Sequence, residues 1–251
     1  IVGFGGRVAT FVLLQVYAAL VASNPNTSGG GDLLITNALW LLTLGWSTAT
    51  LSVDCRLRTG RWWSDRLVSA WPRYLFVFQL VVVYFAAGVQ KTSVHWTPGG
   101  GYLALHYVLQ EPTWIRWDPA WFETLSPLTR IGTAITWHWE QLAPLLLLVY
   151  YYRYTRERSG RLRRLFNRID LRKPWAAIGL GLHVGILLVI NVGPFSVISM
   201  AYYLALWTPD ELEAGAPRVW RKVWRRSTQG TRSTPPRAGT VTSSAPAEPT
   251  V

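Results

Sequence analysis

Between Trp71 and Gln90 the chain runs for twenty residues with one ionised side chain, Arg73, near its start. A helix of that length rises about 30 Å, the thickness of a bilayer's hydrocarbon layer. This is the clearest of six such windows. The others lie near residues 3–22, 33–53, 131–152, 174–192 and 194–207, and the last two form one apolar stretch from Pro174 to Trp207. As a single helix that stretch would reach about 51 Å, too long for one crossing. Gly193 and Pro194 sit inside it, and proline removes a helix donor and clashes with the preceding turn, so the stretch is read as two segments. The fold class expected is all-α, a polytopic transmembrane helical bundle with about six membrane segments.

Composition points the same way. Half of the 251 residues are apolar and 15% are charged, where soluble domains carry roughly 25% charged residues. The net charge is +12, and 15 Trp and 11 Tyr supply the amphipathic rings that gather at headgroup level. Basic residues concentrate in the connections 54–73 and 153–173, which therefore read as cytoplasmic. The connection 91–129 is poor in basic residues and should face outward. It is rich in tryptophan and long for an unstructured loop, so short interfacial helices are expected near Tyr102–Gln110 and Pro119–Leu125, roofing the end of the third span. Residues 209–226 carry Arg218, Arg221, Lys222, Arg225 and Arg226 beside Trp220 and Trp224, a pattern suited to anionic lipid rather than nucleic acid. The tail, 227–251, has a disordered composition. A lone Cys55 excludes an internal disulfide, and four histidines in separate segments argue for no metal site. Residue 1 is Ile, and the chain reads as a piece lacking an N-terminal part. Cell inner membrane is the expected location, with membrane lipid as a partner.

Ionisable groups at membrane depth are costly and so are candidates for function. Lys91 follows the third span in Tyr84-Phe-Ala-Ala-Gly-Val-Gln-Lys91. A lysine in a dry pocket gives up its proton more readily and serves as a base; the plain alternative is a stem lying along lipid with its ammonium among headgroups. Glu140 lies in the fourth span, ahead of Pro144, and reads as a bundle-facing carboxylate paired with a cation from another span. His138, two residues away, does not share its helix face, so the two are not joint metal ligands. His183 in the fifth span is either a buried hydrogen-bonding histidine or a pocket residue.

The segment Tyr84 to Lys91, followed by Trp96 and Gly101-Tyr102, resembles the vitamin K-dependent gamma-carboxylase family and its bacterial relatives, the horizontally transferred transmembrane (HTTM) domain proteins. Further matches fall in order: Gly30-Gly-Asp32, Ser52-Val-Asp54, Glu140, and His183 ahead of Phe195-Ser196. The resemblance covers about Gly3 to Trp207. It implies a lyase-class membrane enzyme in which Lys91 deprotonates reduced vitamin K or another quinol. Oxygenation of the quinol then yields the base that removes a glutamyl proton from a peptide or protein substrate before carbon dioxide adds. Glu140 and His183 would shape the pocket. Ala49 stands where the carboxylase places a functional histidine, and the large lumenal domain of the animal enzyme has no counterpart in this chain.

The residues leave two main readings open. One is a quinol-dependent or peptide-modifying membrane enzyme with Lys91 as general base. The other is a non-catalytic membrane scaffold or maturation partner for a secreted or membrane protein, in which Lys91 and Glu140 pair to hold helices together. Transport is a third and has only Pro194 to recommend it.

Overall fold

The computed structural model describes residues 3–24, 29–64 and 66–215, and these are helical, with no strand among them beyond a single bridge between Ile115 and Ile190. Two units divide the chain, residues 1–208 and 209–251. Of the second, the short helix Pro209–Gly215 is described; the remainder of the basic segment and the tail lie outside the described residues.

The first unit is organised around the helix Trp71–Gln90, α4 in chain order after α1 (Gly6–Ser23), α2 (Gly30–Leu44) and α3 (Val53–Thr59). Pro72 suits the first turn of α4, where a missing N–H costs nothing. Its buried residues, Val77, Leu80, Val81, Tyr84 and Gly88, recur every three or four positions and share one face. The opposite stripe, Leu75, Phe78, Val82, Phe85 and Val89, is equally apolar and is exposed. On α1, Val8, Phe11, Val12, Val16 and Leu20 are exposed too, and Leu14 is its one buried residue. Of the described helices, α1 and α4 are long and apolar enough to cross a membrane.

The other apolar windows do not all form single helices. The window 33–53 contains α2, which stops at Leu44, and α3, which starts anew at Ser52. Gly45 and Pro72 approach closely at the break, and the Ser52 hydroxyl accepts the Cys55 N–H at 3.0 Å as an N-cap. The window 131–152 is also divided. α7 (Ser126–Gln141) ends and α8 (Leu145–Tyr154) begins at Pro144, whose ring cannot coexist with a helical carbonyl four residues back, at Glu140. Beyond α9 (Arg161–Arg168), α10 (Arg172–Val189) turns through Gly193 and Pro194 into α11 (Phe195–Tyr202), which tightens into a 3-10 turn over Tyr203–Leu206. Between α4 and α7 lie two 3-10 turns and the short helices α5 (Ala104–Val108) and α6 (Ala120–Glu123).

The core is where α2, α4, α7, α8, α10 and α11 meet, around Leu34, Leu80, Tyr84, Trp139, Leu146 and Tyr203. Its far end is tied by Arg172, which is 2% exposed and grips both oxygens of Asp170 at 2.8 Å while donating to the Leu206 carbonyl at 2.9 Å. Those bonds hold the Asp170 carboxyl below the usual carboxylate range. Two further carboxylates tie helices together near the start of the chain. Asp32 accepts the Gly29 N–H at 2.7 Å and bonds the Tyr17 hydroxyl, joining α1 to α2, and Asp54 accepts the Gly5 N–H at 3.0 Å, joining the start of α1 to α3.

Candidate functional site

Lys91 is the residue at which α4 ends. Its N–H bonds back to the Gly88 carbonyl at 3.4 Å, and its side chain turns inward rather than away from the bundle. The Nζ donates to Oε2 of Glu140 at 2.6 Å and to the Ala87 carbonyl at 3.3 Å, and it sits 5.0 Å from the centre of the Trp96 ring. The two side chains are 19% and 9% exposed, so this is a largely buried ion pair between α4 and α7. Glu140 is carried there by the last turn of α7, just before the Pro144 break.

Glycine makes the approach possible. A Cβ at Gly88 would fall 2.9 Å from the Cβ of Glu140 and 3.0 Å from the Gln141 nitrogen, so only a residue without a side chain lets α4 and α7 come this near. The Gly-Val-Gln-Lys portion of the motif thus has a physical explanation: the glycine brings the carboxylate within reach of the lysine one turn on.

Two helical turns before Lys91, Tyr84 lies on the same side of α4. Its hydroxyl is 2.5 Å from Nε2 of His183 and 2.9 Å from the Tyr203 hydroxyl. The ring packs against Trp139 and Trp175, which stack with centroids 4.6 Å apart, and the Trp139 indole donates to the Trp175 carbonyl at 2.9 Å. His183 is 3% exposed, and its Nδ1 has no hydrogen-bond partner among the described residues.

These groups border one cavity of 740 Å³, within the usual range of small-molecule sites. Lys91, Glu140, Trp96, Tyr84 and His183 all line it, and the rest of its wall is mostly aliphatic, from α5, α7 and α10. Its cover is fastened down. The Leu105 N–H bonds Oγ1 of Thr133, Arg130 bonds the Gly101 carbonyl at 2.8 Å, and the segment Trp114–Trp117 is laced to the end of α10 through Asn191 N–H to Trp114 O, Arg116 N–H to Val189 O and Trp117 Nε1 to Leu188 O. Ile131 and Ile135 on α7 and Gly181 and Gly185 on α10 line the cavity and are also exposed, so it opens sideways between those two helices.

The structure therefore brings Lys91 and Glu140 into direct contact, and places His183 on the same cavity, bonded to Tyr84 rather than to either of them. His138 is turned away, with Nδ1 2.8 Å from the Ala134 carbonyl. Ala49 is buried, and its carbonyl accepts from Arg58 at 3.0 Å. The tryptophans of the connection do not share one role: Trp96 lies on Lys91, whereas Trp114, Trp117 and Trp121 are exposed. Sequence reasoning passed over Tyr84 and Tyr203. The seven-residue spacing from Tyr84 to Lys91 was a usable signal for the first; nothing local marks the second. No three His, Cys, Asp or Glu side chains among the described residues gather around a common point that would hold a metal ion.

Chemically, Lys91 Nζ is the donor of this pair and the Glu140 carboxylate its acceptor, and the pair is net neutral. The carboxylate can take a proton from a weakly acidic hydroxyl in the cavity, the ammonium then balancing the anion left behind. Comparisons with protein-family models, with curated proteins and with solved structures find no match to this chain.

Proposed function

We propose that the chain is a multi-pass membrane protein of the inner membrane and that its cavity takes a flat, lipid-borne ligand with a weakly acidic hydroxyl, of the quinol class. Lys91 and Glu140 form the proton-accepting pair of a carboxylase-like enzyme. The observation that carries this reading is the Lys91–Glu140 pair on the wall of a largely apolar cavity that opens sideways.

The bilayer part of the reading is supported by the exposed stripes of α1 and α4. Ten large apolar side chains on two helices cost about 1.5–3 kcal/mol each when left in water, and lipid removes that cost. In this setting the basic connections 54–73 and 153–173 lie on the cytoplasmic side and the opening between α7 and α10 faces the hydrocarbon, from which an apolar quinol enters without crossing water. The fit to such a ligand rests on the cavity's size, its largely apolar wall and the Lys91–Glu140 pair that borders it. A quinol would supply a weakly acidic hydroxyl; the residues here would bind it, keep out water and accept its proton.

The test is hydroquinone binding by the protein in lipid nanodiscs, with Gly181→Leu and Gly185→Leu together as the blocking variant. Neither glycine Cβ would meet another atom within 4 Å, so the leucines project into open space without a clash. Saturable binding of 1,4-naphthohydroquinone that the blocking variant abolishes supports the reading. Equal binding in both overturns it.

The scaffold reading keeps one observation of its own. A 2.6 Å ion pair clamped between two helices is what a purely structural link would look like. Under that reading a variant replacing both partners by neutral residues folds and retains every function of the protein.

A further inference from the structure

We infer that the arginine-lined pocket formed by the end of α8, the following turn and α9 binds the phosphate of an anionic lipid headgroup. The pocket, of 470 Å³, is lined by Arg153, Arg156, Arg158, Arg163, Arg164 and Asn167. No acidic side chain lines it. Of the acids nearby, Asp170 is held by two bonds from Arg172 and lies 3.7 Å from Arg153, and Glu157 is exposed in the turn.

Five arginines line one space, of which Arg153 has Asp170 at 3.7 Å, and the net positive charge that remains is offset by an anion with several acceptor oxygens. Guanidinium forks match phosphate oxygens two at a time, a geometry lysine cannot offer. Two of the lining groups are already positioned. Arg163 donates to Oγ1 of Thr155 at 3.1 Å and to the Ser159 carbonyl at 2.8 Å, and Asn167 donates to the Tyr152 and Arg163 carbonyls. Both fix α9 against the end of α8, so the site is held open before any ligand arrives.

The choice of a lipid over a free anion comes from α9 itself. Leu162, Leu165 and Ile169 form a stripe along one side of the helix and are exposed, while Arg161, Arg164 and Arg168 line its other side. Phe166 packs on Tyr152 at 5.0 Å, anchoring the helix. A helix with this division lies in the plane of a membrane surface, its leucines among the upper acyl chains and its arginines at phosphate depth. The pocket is then at headgroup level beside the apolar segment Leu145–Tyr151 of α8. The inference rests on the bilayer reading above and is independent of what the Lys91 cavity binds.

The test uses the full chain purified in a neutral detergent, its thermal unfolding followed while short-chain phosphatidylglycerol, short-chain phosphatidylcholine or inorganic phosphate is added. Phosphatidylglycerol should raise the melting temperature saturably, and the other two should not do so at equal concentration. Arg163→Gln with Arg164→Gln should weaken the apparent affinity about thirtyfold, at the usual contribution of each basic residue near an anionic surface. Should that pair disturb the α8–α9 packing, Arg156→Gln with Arg158→Gln, in the exposed turn, carries the same expectation. An undiminished shift in both double variants overturns the site. So does a detergent-dependent protein that responds to phosphatidylglycerol no better than to phosphatidylcholine, and an equal response to inorganic phosphate overturns the assignment to lipid. Release of the chain from membranes by alkaline carbonate overturns the bilayer reading together with this site, whereas the preceding outcomes leave the bilayer reading standing.

Discussion

Replacing Lys91 by methionine removes the ammonium while keeping the length and much of the volume of the side chain, so it isolates the charge. At 2.6 Å the attraction between Nζ and the Glu140 carboxylate is about 6 kcal/mol at an effective dielectric constant of about 20. Desolvating both ions offsets most of it, and the net worth of the intact pair is small. Removing one partner is different. Glu140, 9% exposed at its side chain, is left in an aliphatic wall with no cation, and such breakage costs about 3–5 kcal/mol. For a domain of this size each kcal/mol moves the melting temperature by about 2–4 °C, so Lys91→Met should melt roughly 6–20 °C lower in detergent. Glu140→Gln should cost less, because the lysine tip is the more exposed partner and retains the Ala87 carbonyl and the Trp96 ring. The double variant should recover most of the lost stability. The two readings of function then separate: a catalytic pair leaves the double variant stable and unable to accept a proton from bound hydroquinone, whereas a structural pair leaves it unimpaired. A melting temperature for Lys91→Met within 2 °C of the unaltered protein would refute the buried ion pair, and a double variant no more stable than Lys91→Met would refute the reasoning about the stranded carboxylate, at the stated sensitivity of about 2–4 °C per kcal/mol.

Further outcomes are expected elsewhere. Gly88→Ala sets a Cβ against Glu140 and the Gln141 backbone, and should cost about 1–3 kcal/mol as an overpacked contact, measured as a drop in melting temperature. Gly181→Leu with Gly185→Leu should leave stability unchanged or raise it by up to about 2 kcal/mol through helix propensity while abolishing ligand binding; loss of folding would contradict the open space assigned to those positions. Arg172→Met removes the side-chain donors of Asp170 and of the Leu206 carbonyl, while Asp170 keeps the N–H of residue 172 at 3.3 Å and Arg153 at 3.7 Å, so it should cost about 1–3 kcal/mol in the same assay. Because bonds from Arg172 hold the Asp170 carboxyl below its ordinary value of about 3.9, its stabilisation is fully present above that pH and is lost as pH falls through the lower folded value. Acid unfolding should therefore steepen below about pH 4, and Asp170→Asn should lack that component.

The helical class could be read from the chain because the apolar runs exceed the length of any strand, and α4 could be bounded because its run begins at Trp71 and ends ahead of Lys91. Two windows were read as continuous and are not. At Pro144 the signal for a break is present in the sequence; at Gly45 the break depends on the contact with Pro72, far along the chain, and on the Ser52 cap that restarts the helix. For the site, Lys91, Glu140 and His183 stood out one by one because each is out of place among apolar neighbours. The scaffold reading of the sequence already pairs Lys91 with Glu140; what it does not give is the close approach of α4 and α7 at Gly88 that brings the two together. Tyr203 was illegible for a related reason: the adjacent Tyr202 and Tyr203 in an apolar run give no hint which of them meets Tyr84 from another helix.

The central claim is that the pair on the cavity wall takes a proton from a bound quinol. It is tested most directly by the ultraviolet spectrum of 1,4-naphthohydroquinone bound, without oxygen and near neutral pH, to the protein in nanodiscs. The expected result is the red-shifted band of the monoanion with the unaltered protein and the neutral hydroquinone spectrum with Lys91→Met, Glu140→Gln. A bound hydroquinone that stays neutral in the unaltered protein, or no binding at all, would contradict it.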